Sequence, residues 1–402
     1  MDIRSRFIPA LLVALLAFAA NGCRRAEPEN PEPPRRLPAI PPLPAPLRIE
    51  TPRKNWTARM RLDTLRTWED GDCRRALPGG MLVNDCVVGI DLGGTKIAGA
   101  VVDPAGRIRH RVFKLTAAKD GPKAVLDRIV DVARESVRDA GLELEDMLAV
   151  GIGSPGPLDP DAGVVVHSPN LPGWDRVRVK DHVQDALGRP VFMDNDCNVA
   201  TLAEHVLGAG SGVSDLIGLF LGTGIGGGVI IANRVHRGFS KQGGELGHVV
   251  VDVNGPKCGC GQRGCVEALA SRQVICREIV EAVRKGRKSV ITETDPAKLR
   301  TTLLAQALAE NDPLVREVMT KAMEYLGVAV ASIAHVVSPE MVILGGGILE
   351  ALNDEMLAAV ESSARKRALP LVMDGVKFVR AQLGEDAGVL GAAVLARQAL
   401  AR

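Results

Sequence analysis

The chain has 402 residues, of which 46% are hydrophobic, so it is long enough to bury a large core and to form more than one domain. Its 50 Lys and Arg residues nearly balance its 48 Asp and Glu residues, which excludes the strongly basic surface typical of nucleic-acid-binding proteins. Only 3% of the residues are aromatic, whereas 43 are glycine, and this favours ligand sites lined by backbone over aromatic stacking platforms.

Residues 1–80 differ in composition from the rest of the chain. Residues 4–23 have a basic start and an apolar run shorter than the ~20 residues that span a bilayer, and they resemble a secretory or lipoprotein signal peptide. Residues 28–52 are rich in proline and arginine, which predicts a disordered extension or linker. Two interpretations stay open. Either residues 1–80 are a mis-assigned start and the functional chain begins near Met81, or they carry a genuine export signal or anchor.

From residue 81 onward, short apolar β-branched runs alternate with amphipathic helical periods, which predicts an α/β fold. The pattern divides into two halves, 81–200 and 201–402, and the last helix is expected to pack back on the first half. Strands are predicted at 86–94, 97–103, 148–153, within 215–235 and at 341–347. Helices are predicted at 124–140, 271–285, 313–337 and 387–400.

Three glycine-rich loops, DLGGTK, LGTGIGGG and LGGGI, end predicted strands, where backbone N–H groups can face a phosphate. DLGGTK alone is also typical of a hairpin turn with a solvated lysine, and any one of the three loops alone is weak evidence. Together they predict a nucleotide clamped between two lobes, although they match neither the P-loop nor the dinucleotide fingerprint. Asp91 adds a carboxylate suited to Mg²⁺. The candidate cofactor-binding residues, with Asp91 for Mg²⁺ and the others for phosphate, are Asp91, Gly93, Gly94, Thr95, Lys96, Gly222, Thr223 and Gly224.

The run PVFMDNDCNVATLAEH places Asp196 between a predicted strand and a helix. Phosphoryl transfer from ATP needs a carboxylate that takes the proton of the acceptor hydroxyl, and Asp196 is a candidate for that base. The alternative is an N-cap aspartate. Gly/Pro-rich loops at 151–160 and 168–174 could wall a pocket, in which Asn170 would offer its amide to a sugar hydroxyl. Simple turns are the alternative for these loops.

His248, Cys258, Cys260 and Cys265 supply one imidazole and three thiolates within a single glycine-rich loop. This is the ligand set of a closed tetrahedral zinc site, which leaves no open position for catalysis. The clustering of three of the eight cysteines is typical of metal ligation in a reducing compartment rather than of a disulfide framework. A loop of unligated thiols is the alternative.

Glu245 and Glu267 flank this cluster. Glu245 precedes His248 by three residues, so on a helical turn both side chains would face the same way. A loop pinned by metal would present two carboxylates and the second ring nitrogen of His248 to a polyhydroxylated ligand. Plain surface charge is the alternative for both glutamates.

The motifs DLGGTK, GIGSPGP, NLPGW, NDCNVATLAE, LGTGIGGG, GELGHVVVD, CGCGQRGCVE and LGGG occur in this order. This series of motifs resembles that of the ROK family of sugar kinases, most closely its bacterial glucokinases, over residues 86–402. The resemblance implies a two-lobed, actin-like ATPase fold of the ribonuclease H-like class with a zinc-binding loop, and ATP and sugar in the cleft between the lobes. The cofactors expected are ATP, Mg²⁺ and structural Zn²⁺, in a homodimer or homotetramer.

Position by position, the resemblance implies that Asp196 is the base that deprotonates the 6-hydroxyl of glucose. It also implies the sugar ligands Asn170, Asn195, Glu245, His248 and Glu267, with Gly345 and Gly346 near the adenosine. Another hexose (fructose, mannose or an N-acetylated hexosamine) and another phosphoryl donor (polyphosphate or ADP) stay open. A non-catalytic, sugar-responsive ROK protein is the second hypothesis.

Two features depart from the family. Cys197 stands where the family usually has alanine, and residues 1–80 are foreign to it and lack the helix-turn-helix period of ROK repressors. No nucleic-acid partner is therefore expected, and no membrane partner unless the N-terminal segment is an anchor. Because a periplasmic or surface kinase would lack ATP, a cytoplasmic protein is expected. A membrane-anchored or exported protein is the alternative if residues 1–23 are a true signal.

Overall fold

The computed structural model describes residues 74–76, 82–168, 170–351 and 354–401, and all of them belong to one compact unit, Trp68–Arg402. The predicted signal-like segment, the proline-rich stretch and Met81 lie outside the described residues. Among the helices of these ranges, none combines the length and the apolar character that a membrane crossing requires.

The elements follow one another along the chain as strands that alternate with helices. The strands are β1 (Arg74–Ala76), β2 (Leu82–Asn84), β3 (Cys86–Leu92), β4 (Lys96–Val102), β5 (Ile108–Leu115), β6 (Met147–Ser154), β7 (Leu158–Asp159), β8 (Val164–His167), β9 (Asp175–Arg178), β10 (Val191–Asn195), β11 (Leu216–Leu221), β12 (Ile225–Ile231), β13 (Arg234–Val235), β14 (Met341–Gly345) and β15 (Lys377–Arg380). The helices are α1 (Pro122–Asp139), α2 (Val179–Leu187), α3 (Asp196–Leu207), α4 (Glu267–Ala270), α5 (Arg272–Arg284), α6 (Thr301–Ala309), α7 (Pro313–Val337), α8 (Gly347–Ala351), α9 (Asp354–Arg367), α10 (Pro370–Met373) and α11 (Ala387–Leu400). Short 3-10 turns lie at Ala118–Asp120, Leu144–Asp146, Leu246–His248 and Gly384–Asp386.

The first half is built on a five-stranded sheet in the order β10-β6-β3-β4-β5. β3, β4 and β5 form an antiparallel meander, whereas β6 and β10 run parallel to β3. Every residue of β3 except Asp91 is buried, as expected of a strand that helices cover on both faces. The carboxyl ends of β3, β6 and β10 therefore meet at one edge of the sheet.

The second half repeats this topology in the sheet β13-β12-β11-β14-β15. β11 pairs antiparallel with β12 and parallel with β14, as β3 does with β4 and β6. The repetition places two glycine-rich turns, 93–95 and 222–224, at equivalent hairpins. The chain thus folds as two similar α/β lobes, and the predicted actin-like fold is confirmed.

Each half gives one helix to the sheet of the other. α3 follows β10 but packs on β11 and β12, whereas α11 follows β15 but packs on β3 and β6. Glycine makes this close approach possible, because a Cβ on Gly89 would lie 1.9 Å from the carbonyl oxygen of Val389. Where the two helices cross, a Cβ on Gly391 would lie 1.8 Å from the carbonyl oxygen of Val199. The crossing of α3 and α11 joins the two halves.

The Gly/Pro-rich segment predicted as a loop at 151–160 is mostly strand. β6 continues to Ser154, and β7 begins at Leu158, because the segment completes one sheet and opens another of order β7-β8-β9. In the second Gly/Pro-rich loop, Leu171 and Trp174 are fully buried in the core of the first half. This loop is therefore anchored by apolar packing, which fixes the neighbouring Asn170.

Candidate active site

A cleft of about 270 Å³ lies between the two halves, beside the carboxyl ends of the parallel strands. Its lining includes Asp91, Lys96 and Asp196 from the first half and Gly346, Glu385 and Gly388 from the second. Four of these six were singled out from the sequence. The structure thus brings together side chains that lie far apart along the chain.

Asp196 is the first residue of α3 and follows β10 directly. The N-cap of this helix is the preceding residue, Asn195, whose side-chain oxygen accepts hydrogen bonds from the backbone N–H groups of Cys197 and Asn198 at 2.9 and 3.2 Å. The capping role that was the alternative for Asp196 is therefore taken by its neighbour. Asp196 accepts a hydrogen bond from the N–H of Cys197 at 2.8 Å, and its side chain lines the cleft.

The electrostatics of the cleft shift the titration of both aspartates. Burial raises the pKa of Asp196, as does the negative charge of Asp91, and hydrogen bonds from Cys197 lower it, with a net pKa of about 7. Burial also raises the pKa of Asp91, and the charge of Lys96 opposes this. Carboxyl groups with strongly shifted pKa values in a cleft are typical of sites of proton transfer.

The first glycine loop joins β3 to β4 at the mouth of the cleft. Lys96 follows it, and its Nζ lies 3.1 Å from Oε2 of Glu385 and 5.2 Å from the ring centroid of Phe113. Asn170 packs against the loop, since a Cβ on Gly94 would lie 3.0 Å from the Cβ of Asn170. Thr95 is exposed at the turn and Gly93 is partly buried. The structure therefore places Asn170 beside the predicted phosphate loop.

The second glycine loop, between β11 and β12, rests on Glu267. Oε2 of Glu267 accepts a hydrogen bond from the N–H of Ile225 at 3.0 Å, and a Cβ on Gly224 would lie 2.2 Å from the same oxygen. Glu267 is therefore a partner of this loop and not a free surface charge. Gly222 is partly buried at the start of the turn and Thr223 is exposed.

The third glycine loop follows β14, whose last residue is the buried Gly345. Gly346 has a φ of 90°, a conformation that side chains rarely adopt. A Cβ on Gly346 would also lie 2.5 Å from the carbonyl oxygen of Leu221. The backbone of this turn therefore packs on the end of β11 and lines the cleft.

The four predicted metal ligands lie together. The ligand atoms of His248, Cys258, Cys260 and Cys265 are all within 4.8 Å of one another. Sγ of Cys260 and Sγ of Cys265 are 3.7 Å apart, and so are Sγ of Cys258 and Nδ1 of His248. Thiolates at the ~2.3 Å bond length of tetrahedral zinc would be about 3.8 Å apart, so the spacing and the donor set fit zinc.

His248 connects this cluster to the pocket. Its Nδ1 faces Cys258, whereas its Nε2 lies 4.0 Å from Oε2 of Glu245. The 3-10 turn Leu246–His248 puts the two side chains on the same side, as the sequence predicted. Oε1 of Glu267 lies 3.5 Å from Sγ of Cys258. The cluster is thus in contact with all three predicted sugar ligands of this region.

A small pocket beside Asp196 brings Asn195 and Glu245 together. The sequence analysis missed its floor, the buried Asp194, which accepts hydrogen bonds from Nε of Arg237 at 2.6 Å and from Nδ2 of Asn198 at 3.1 Å. The sequence feature that could have identified Asp194 is an acidic residue at the end of an apolar strand. Because Arg237 follows β13, this ion pair fixes the second half against Asn195.

The sequence analysis also missed the segment 381–388, which forms the opposite wall of the cleft. A Cβ on Gly388 would lie 2.6 Å from Cγ of Asp91, so the start of α11 packs directly on that carboxylate. The feature that could have identified this segment is the repetition of the sheet topology in the two halves. The segment follows β15 in the second half as Asp196 follows β10 in the first.

Among the described residues, the cysteines outside the cluster are of two kinds. Cys197 and Cys276 carry free thiols, whereas Cys86 is disulfide-bonded. The clustered cysteines Cys258, Cys260 and Cys265 also carry free thiols, which fits metal ligation rather than a disulfide framework. The sequence analysis made no prediction for the disulfide at Cys86.

The model of the ROK family matches residues 87–399. A glucokinase from Thermotoga maritima is 37% identical over 314 residues, which cover 78% of this chain and 97% of the relative. A xylose repressor from Caldicellulosiruptor bescii is 31% identical over 260 residues, which cover 64% of this chain and 65% of the repressor. Both an enzyme and a regulator are thus similar to this chain.

Two solved structures share the two-lobed fold. A ROK hexokinase from Thermus thermophilus is 37% identical with a TM-score of 0.67, and the match covers 79% of this chain and 99% of that one. A ROK family glucokinase from Streptomyces griseus, in complex with glucose and AMPPNP, is 32% identical with a TM-score of 0.67, over 78% of this chain and 99% of that one. Nearly the whole of each neighbour is matched.

Proposed function

The chain belongs to the ROK family, and from this premise we propose that it is an ATP-dependent kinase that converts glucose to glucose 6-phosphate. The position of Asp196 carries the proposal. This carboxyl group begins a helix in the cleft beside Asp91 and Lys96, is relieved of the capping role by Asn195, and has a pKa of about 7. A base with that pKa is poised to take a proton from a hydroxyl near neutral pH.

In the proposed reaction, Asp196 accepts the proton of the sugar 6-hydroxyl while the oxygen of that hydroxyl attacks the γ-phosphorus of ATP. The new O–P bond forms as the bond from phosphorus to the ADP oxygen breaks, and the proton ends on Asp196. Lys96 and the backbone N–H groups of the first two glycine loops stabilise the phosphate oxygens. Bound Mg²⁺ supplies further charge neutralisation, and the Asp91 carboxylate is the side chain that would hold it.

The sugar is proposed to lie between Asn170 on one side and the loop of Glu245 and His248 on the other. Three observations support this location. Asn195 and Glu245 share a pocket, the charge of Glu245 contributes to the pKa of Asp196, and Nε2 of His248 points away from the metal ligands. Glu267 completes the set from beneath the second glycine loop. Zinc, held by Nδ1 of His248 and three thiolates, would have a structural role in fixing this loop.

A coupled assay of the purified protein with ATP and a panel of sugars tests the proposal. The panel contains glucose, fructose, mannose and N-acetylated hexosamines, and a second panel replaces ATP with ADP or polyphosphate. Glucose with ATP is expected to give the highest kcat/KM. A higher value for another hexose would correct the substrate and retain the kinase. Sugar binding without turnover by any donor would instead favour a sugar-responsive protein, since xylose repressors are among the relatives.

A further inference from the structure

Glu204 is a buried acidic residue for which the proposed reaction has no use. It stands at the end of the run NDCNVATLAE, on the helix α3 that begins with Asp196, and its side chain has no exposed surface. A carboxylate is costly to bury unless hydrogen bonds satisfy both of its oxygens. The partners of Glu204 therefore indicate why an acid stands here.

Both oxygens of Glu204 accept hydrogen bonds from backbone N–H groups. Oε1 accepts two, from Gln382 at 2.8 Å and from Leu383 at 2.7 Å. Oε2 accepts one from Ala209 at 2.9 Å, just beyond the end of α3. The first two bonds span 178 and 179 positions of the chain and join α3 to the segment that follows β15. Hydrogen bonds from N–H groups to a carboxylate are about twice as strong as neutral ones.

The segment held by Glu204 is the one that walls the nucleotide side of the cleft. Gln382 and Leu383 lead into the turn Gly384–Asp386 and then into α11. Within the next residues, Glu385 pairs with Lys96, and Gly388 packs on Asp91. The wall therefore has one fixed point at Glu204 and two contacts with predicted nucleotide-binding residues.

We propose that Glu204 is a positioning residue for the nucleotide. It fixes the backbone of Gln382 and Leu383 relative to the helix that carries Asp196, so that the wall and the base keep a constant spacing. Its effect should fall on ATP and not on sugar, because no predicted sugar ligand lies on the segment 381–388. Asn195 caps the opposite end of α3, and the other sugar ligands lie on other segments. The inference rests on the proposed ATP-dependent kinase activity.

The variant Glu204→Gln tests this with little change in shape. An amide offers one oxygen where the carboxylate offered two, so either the Gln382 and Leu383 bonds or the Ala209 bond is lost. We expect the KM for ATP to rise about tenfold, as the loss of a buried hydrogen bond to a charged group implies. The KM for glucose should change less than about twofold, since its ligands keep their positions.

Asp312→Asn is the matched control. Asp312 is also buried and accepts bonds from the backbone N–H groups of Leu314, Val315 and Val290 at 2.9, 2.9 and 2.6 Å, but it caps α7 away from the cleft. Both variants should lower Tm, and only Glu204→Gln should raise the KM for ATP. If the two variants lost the same Tm and had equal KM values for ATP, Glu204 would have only a structural role, and the proposal would be overturned.

A measurement on the wild-type chain covers the case in which Glu204→Gln does not fold. Amide hydrogen exchange resolved to single residues should show Gln382 and Leu383 protected well above the neighbouring turn. Exchange at the rate of an open loop would overturn the proposal. If the wild-type chain had no kinase activity, the proposed function would fail separately. The positioning role would then be read from the affinity for an ATP analogue, which Glu204→Gln should lower and Asp312→Asn should not.

Discussion

The charge of Asp91 acts on Asp196 on the same side of the cleft and contributes to its raised pKa. β3 and β10, which end beside these two residues, run parallel to β6 between them, so both carboxyl groups emerge at the same edge of one sheet. Burial is the larger cause of the shift, and the like charge is the part that a single substitution can remove. The pair therefore gives the proposed base a test of its own.

The pH profile should show this coupling. Because the base acts only when deprotonated, kcat/KM should fall about tenfold per pH unit below a midpoint near the pKa of about 7. Asp91→Asn removes the like charge, so the midpoint should move to lower pH even if the rate drops. The control Asp175→Asn changes an exposed aspartate and should leave the midpoint in place. An unmoved midpoint in Asp91→Asn would contradict the electrostatic assignment.

Asp196→Asn should lower kcat about a hundredfold to ten-thousandfold, the usual contribution of a general base. Glucose should still bind, as titration calorimetry would show. Retention of more than a tenth of the wild-type rate would count against Asp196 as the base.

The same variant should be more stable than the wild type at pH 8. The pKa of Asp196 is raised in the folded chain, so the stability that the protonated form contributes is present below about pH 4 and is lost as pH rises through 7. Asparagine does not ionise, so its advantage in Tm should grow between these limits. An equal Tm difference at pH 4 and pH 8 would contradict this sign.

Lys96→Met should raise the KM for ATP by about tenfold, since a phosphate partner is lost. Tm should change little, because the pair with Glu385 is exposed and exposed pairs contribute about 0–1 kcal/mol. The matched control is Lys119→Met, which removes an exposed lysine away from the cleft. An unchanged KM for ATP would remove Lys96 from the nucleotide site.

Cys260→Ser should lower zinc content, Tm and glucose affinity together, with a rise of about tenfold or more in the KM for glucose. Cys260 itself is proposed to touch no sugar, but its metal would fix His248 and the loop of Glu245. Cys276→Ser changes a buried free thiol in α5 and should lower Tm alone. Metal loss with an unchanged KM for glucose would show that the cluster and the sugar site are independent.

What the sequence could predict depended on distance along the chain. The metal cluster was visible because its four ligands lie in one loop, and the strands and long helices were visible from their periods. Glu385 was missed because its partner Lys96 is 289 positions away. Asp194 and Glu204 were missed for the same reason, since a buried acid is interpretable only once its partners are known. The repeated strand order of the two sheets could not be predicted from local sequence patterns, because it depends on pairing between distant strands.

The exchange of α3 and α11 between the sheets makes the two halves a single cooperative unit. Removal of α11 would expose the face of β3 that contains Gly89. Either half expressed alone would lack the helix that the other half packs on its sheet. Where the two helices cross, the backbone at Gly391 packs directly on the backbone at Val199, with no space for a side chain between them. Even a single methyl group at Gly391 should therefore disturb the assembly of both lobes at once.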